Sequence, residues 1–184
     1  TSLKDKKFAN AYSDWDADKM RRFNFLTSRF FNALDIELDF CPEVFIVTDT
    51  TTATQSMVDP FTDTIQIIGR FRNGIASVNH ITNTDYNFSV RSKAQLQYMI
   101  GVFEQVYGMM KTYYDNATTD EARDAYKSIL DTHPFKSMLN RNGEKNWFKI
   151  DNYITDAIVQ GYYNNFDMLT KIYRQCKSFK VSCE

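Results

Sequence analysis

Cysteine, histidine, proline and glycine are all scarce in this chain of 184 residues, which has three Cys, two His, three Pro and six Gly. Cys41, Cys176 and Cys183 are an odd number without C-x-x-C spacing, so neither a disulfide framework nor a structural zinc site is expected. His80 and His133 stand far apart, and neither has a partner at ligand spacing. Low glycine and proline exclude a low-complexity chain. No stretch reaches the roughly 18 apolar residues of a membrane span, and the opening "TSLKDKKFANAYSDWD" lacks the apolar run of a signal peptide. The expectation is a cytoplasmic protein without membrane contact, and the sequons at Asn87 and Asn116, which matter only in a secreted chain, are set aside. An excess of one charge is also missing: the formal net charge is −1 with both signs interspersed, so no chain-wide field points to nucleic acid or an anionic surface. There is no G-x-x-x-x-G-K-[ST], G-x-G-x-x-G or G-x-S-x-G, which leaves phosphate-cradling loops and esterase chemistry unsupported.

What the chain does have is apolar and aromatic content, 43% and 15%, enough for an ordered core without metals. The pattern predicts one α+β domain over 1–184, with a helix-sheet-helix part at 1–133 and a helical C-terminal extension at 134–184. Ser13 with Asp16 reads as a capping box opening a first helix to about Asp35, through Met20, Phe23, Leu26, Phe30, Phe31 and Leu34. "IELDF" and "EVFIV" flank Pro42 and read as short strands, followed by the threonine-rich "TDTTTATQS", expected to be mobile. "TIQIIGRFRNGIASVNHIT" holds Asn73-Gly74, the dipeptide of a two-residue hairpin turn, and predicts a central β-hairpin in a small antiparallel sheet. In that register Ile65, Ile67, Phe71, Ala76 and Val78 share the core face, and Arg70 and Arg72 project from the other. Ser92 with Gln95 caps a long helix to about Asp115. Thr118 with Glu121 caps another to about Thr132, ended by Pro134. Residues 147–178 form one helix, or two broken near Asn164-Asn165.

The helix from 93 to 115 places Leu96, Met99, Ile100, Phe103, Val106, Tyr107, Met110 and Tyr114 on a core face. A second stripe carries Gln97, Gly101, Glu104, Gly108 and Lys111. Each glycine inside a helix costs about 1 kcal/mol against alanine, so this bare track with a carboxylate suggests a surface against which a segment packs closely. "FEQVYG" aligns Glu104 with the glutamate of the H-E-x-x-H helix of zinc peptidases, but Phe103 and Tyr107 occupy the ligand positions. A ligand-less peptidase-like fold is one alternative; a solvated Glu104 beside tolerated glycines is the plainer reading. "DWDADK" spaces Asp14, Asp16 and Asp18 as in a calcium loop, but Lys19 and Phe25 occupy the positions that need glycine and glutamate, so the aspartates better fit a helix N-terminus. Asp59 and Asp63 fit turn and cap roles. Cys41 could meet His80 or His133 only if the fold joined them.

Arg70 and Arg72 at the expected hairpin tip, with Arg91 and Lys93 ahead of the next helix, make a local basic cluster. Arginine makes forked contacts with carboxylates and phosphates, so this cluster is the expected partner-binding surface, weighed against simple protection of a sheet edge. No aromatic side chain interleaves it for stacking on bases, which favours a protein partner over nucleic acid. The expectation is a non-catalytic interaction, assembly or inhibitor protein without cofactors; nucleic-acid binding through the basic hairpin is the other alternative. Abundant Asn, Lys, Tyr, Phe and Ile fit an AT-rich genome, hence a viral or mobile-element origin and the host cytosol. Elemental analysis of the folded protein should find no stoichiometric zinc or calcium. One equivalent per chain, lost together with folding on chelation, would overturn this.

Overall fold

The computed structural model describes residues 11–12, 15–27 and 34–182. The chain divides into two compact units: one contains the residues up to Thr82 together with those from Tyr173 onward, and the other is Asn83–Ile172.

The first unit is built on two strands, β1 (Glu43–Val47) and β2 (Ser77–Ile81), paired in parallel with Val44 opposite Val78 and Ile46 opposite His80. This overturns the antiparallel hairpin. A parallel pair needs a crossover, and here the connection contains the helix α1 (Asp63–Gly69). The "TIQIIG" run is helical because Thr64 and Ile67 bury on one face, 1% and 3% exposed, while Gln66 and Ile65 face outward. The preceding loop favours the same outcome: the Asp63 carboxylate accepts from Asp59 N at 2.9 Å, and Thr64 N donates to Asp59 O at 3.1 Å. Asn73-Gly74 does make a turn, with Gly74 at φ +89° where a side chain would be strained. That turn leads from the helix into β2 rather than between antiparallel strands. Asn73 also donates to Leu38 O at 2.8 Å, and Ile36 forms a parallel bridge with Phe71, so "IELDF" contributes one bridge and not a strand.

The expected first helix is not present where it can be followed. Asp16 caps only the 3₁₀ turn Ala17–Lys19, and residues 20–27 have no helix; Ser13, Asp14 and residues 28–33 lie outside the described residues. Phe23 and Phe25 are exposed, so the apolar stripe has no burial to stabilise it. The threonine-rich loop is tied down instead of open. Thr48 and Thr50 are buried, Asp49 N donates to Ser56 Oγ at 2.8 Å, and the Asp49 carboxylate accepts from Thr51 N.

The second unit contains α2 (Lys93–Asp115), α3 (Asp120–Thr132), α4 (Trp147–Tyr162) and the start of α5 (Phe166–Gln175). Ser92 and Gln95 form the expected capping box, each side chain meeting the other's backbone N–H. The cap of α3 falls one residue later than expected, on Thr119, whose hydroxyl accepts from Ala122 N at 3.2 Å. His133 and Pro134 end α3 in a 3₁₀ turn, Pro134–Met138, and the chain breaks between α4 and α5 at the expected asparagines.

The core here is Leu96, Ile100, Phe135, Met138, Ile150 and Ile154, with Met99, Phe103 and Tyr107 against it. Each such buried side chain contributes about 1.5–3 kcal/mol. Val106, expected in this core, is exposed on another side of α2. At the end of α4, Gly161 faces the chain at Ser89 and Val90: an added Cβ would sit 3.2 Å from Ser89 O and 3.4 Å from Val90 Cα. Asn164 completes that contact by donating to Tyr86 O and Phe88 O. The glycines of α2 are different, since no described atom lies within 4 Å of a Cβ added at Gly101 or Gly108. Gly108→Ala should therefore stabilise the protein by up to about 1 kcal/mol, and Gly161→Ala should destabilise it by about 1–3 kcal/mol. Thermal melts that rank the two variants the other way would sink this account of the glycines.

Candidate functional site

Two places gather side chains that sequence spacing does not connect. The first is a cleft of about 340 Å³ in the second unit. Its floor is the buried core residues Ile100, Phe135, Ile150 and Ile154; its rim is Gln97, Lys145, Trp147 and Asp151. Helical spacing explains the convergence: Gln97 and Ile100 lie three apart on α2, and Trp147, Ile150, Asp151 and Ile154 occupy successive turns of α4. Lys145 is delivered by a turn in which Asn140 Oδ1 accepts from Asn142 N and Glu144 N, closed by a bridge between Leu139 and Lys145.

Lys145 settles the status of Glu104. Its Nζ stands 2.7 Å from Glu104 Oε2 and 5.5 Å from the Trp147 ring centroid, a cation over an aromatic face. Glu104 is thus half of an ion pair beside the cleft rather than a lone carboxylate, and Gly101 and Gly108 have open space rather than a packed segment among the described residues. Trp147 and Phe148 are 67% and 74% exposed. An apolar floor with an aromatic wall, one amide and one carboxylate can hold an apolar side chain and orient its neighbours.

The second place is a buried polar chain in the first unit. His80 Nδ1 lies 2.8 Å from Tyr173 OH, and His80 Nε2 lies 3.0 Å from Thr48 Oγ1. Thr48 donates onward to Thr82 at 2.6 Å, and Tyr173 OH also meets Thr64 Oγ1 at 3.3 Å. Both ring nitrogens of His80 have a hydroxyl partner, one nitrogen donating and the other accepting in the neutral ring. Burial lowers His80 from 6.5 to about 4 and pushes Tyr173 upward, which keeps both neutral in this arrangement. The chain ties β2, the end of β1, α1 and the end of α5 together. No buried side-chain N or O lacks a partner among the described residues, as expected of a structural network. No sequence signal could have found it, since its members are brought together only by the fold.

Of the basic cluster, Arg70 and Arg72 belong to the first unit, where both face Asp35 at 3.7 and 2.6 Å, and Arg91 and Lys93 belong to the second. Asp16 pairs with Lys19 at 2.7 Å, which holds its carboxyl below the usual range. Cys41 is exposed with its thiol toward Asn73 O, and Cys176 is buried against Pro60 O. Among the described residues no group of three or more His, Cys, Asp or Glu is placed to hold a metal ion, and none forms a helix long and apolar enough to cross a membrane. The chain matches no protein-family model, no curated protein and no solved structure.

The neutral His80 gives stability a pH dependence. Between about 4 and 6.5 the unfolded ring binds a proton that the folded ring refuses, so the unfolded state gains as pH falls. This contribution is complete above pH 6.5 and is lost progressively toward pH 4, up to about 3 kcal/mol. Denaturant unfolding over that range should show the loss, and His80→Gln should flatten the slope. An unchanged slope in the variant would exclude His80 as the source.

Proposed function

We propose that the protein is a non-catalytic interaction protein whose cleft between α2 and α4 receives a large apolar side chain from a protein partner. The observation that carries this reading is the cleft over the apolar floor of Ile100, Phe135, Ile150 and Ile154, with an exposed Trp147 on its rim. Aromatic rings left in water at the lip of an apolar depression are the usual anchors of protein contacts, because covering them removes much apolar area at little entropic cost. Asp151 on the rim adds a preference: the residue beside the anchor should be basic. Arg70 and Arg72 then act as a separate, secondary contact, Arg72 being half exposed beside Asp35.

Selection of displayed peptides on the full chain tests this. The enriched peptides should share a large apolar residue next to Lys or Arg. Trp147→Ala should weaken their binding at least about tenfold, and Asp151→Asn should remove the basic preference. Both substitutions fall on exposed or rim side chains, so the melting temperature should hold within the range of surface changes, about 0.5 kcal/mol. Peptides that bind equally well to Trp147→Ala, or binding that needs nucleic acid, would reject the cleft as the working surface.

A further inference from the structure

The outward side of α2 carries Tyr98, Val102, Val106, Met109 and Tyr113, all exposed, from 39% for the two valines to 78% for Tyr98. At 100° per residue these five fall within one narrow stripe, and from Val102 onward they follow the 4-3-4 spacing of a helix-to-helix seam. The charges of α2 avoid this stripe. Lys93, Glu104, Lys111 and Asp115, the four charged residues of the helix, all fall on the opposite side, while the seam is flanked by Gln105, Thr112, Gly101 and Gly108. A solvent-facing helix surface ordinarily shows the reverse pattern, with charge outward and apolar groups inward. Tyr113 is held in place by stacking on Tyr126 of α3, with ring centroids 5.8 Å apart. The seam is therefore a fixed surface, distinct from the cleft, which uses Gln97 and Ile100 on another side of the helix.

We infer that this seam pairs with the same seam of a second copy of the chain, the two α2 helices lying antiparallel about a two-fold axis near Val106. The order of side chains supports self-pairing: tyrosine at each end, aliphatic residues between. In antiparallel register Tyr98 lies opposite Tyr113 and Val102 opposite Met109, so each large ring meets its counterpart and the central valines meet near the axis. A second copy brings no charge to the face, so nothing charged is desolvated at the centre. Covering the five side chains would remove on the order of 600 Å² from each copy, about 1,200 Å² in total, the lower end of what specific interfaces bury. That area fits a reversible dimer.

Sedimentation equilibrium on the full chain across a micromolar concentration series should show reversible dimerisation. Val106→Glu, at an exposed position, should keep the melting temperature of a dilute sample and raise the dimer dissociation constant at least about tenfold, because it places two like charges at the axis. In a Cys41→Ser, Cys183→Ser background, Tyr98→Cys mixed with Tyr113→Cys should form a disulfide-linked pair, while each variant alone should not. A wild-type chain that stays monomeric throughout the series overturns the inference, as does a dimer indifferent to Val106→Glu. Crosslinking of each tyrosine variant with itself would mean a parallel arrangement and would also overturn it. None of these outcomes bears on the cleft, which the Trp147 variant tests by itself.

Discussion

Burial of one face of α2 organises the second unit. Leu96 and Ile100 are the points at which the 3₁₀ turn and α4 meet the long helix, through Phe135, Ile150 and Ile154. With that face fixed, the position of every other residue on the helix is set by rotation about its axis. Glu104 reaches the Lys145 turn, Gln97 reaches the cleft, and Val106 points outward. The same burial, together with the capping box at Ser92, offsets the roughly 2 kcal/mol that two interior glycines cost, so the glycines need no packing partner to be tolerated.

Local signals in the sequence translated well wherever the structure depends on local chemistry. The capping pair Ser92 and Gln95, the proline stop at Pro134 and the break at Asn164-Asn165 rest on interactions within a few residues, and each is present; the strand "EVFIV" is present too, paired with Ser77–Ile81. Asn73-Gly74 turned as its backbone preference requires, yet the turn type did not fix what it joins. The run before it alternates Ile65, Gln66, Ile67 over too few residues to distinguish period 2 from period 3.6, and Thr64 with Ile67 fits the helix equally well. The decisive information there was tertiary: β1 was already placed to take β2 in parallel.

The cleft and the His80 network were not legible for the same reason, although they are physically opposite. The cleft collects residues from α2, a 3₁₀ turn, a loop and α4, and leaves Trp147 exposed on its rim. The network collects residues from across the first unit and satisfies all of its donors and acceptors internally. A satisfied buried network specifies a fold, whereas an unsatisfied apolar surface invites a partner. Arg70, Arg72, Arg91 and Lys93 stand near one another in sequence, yet Arg70 and Arg72 belong to the first unit and Arg91 and Lys93 to the second.

The discontinuity of the first unit has a consequence for how the protein is made. Its strands and α1 emerge from the ribosome early, but Tyr173, which bonds His80 and Thr64, and Cys176, which bonds Pro60, follow only after the whole of the second unit has been synthesised. The second unit is continuous and can complete its core as a single length of nascent chain. The first must wait, its polar groups paired with water in the interim, until the last segment arrives to displace that water and close it.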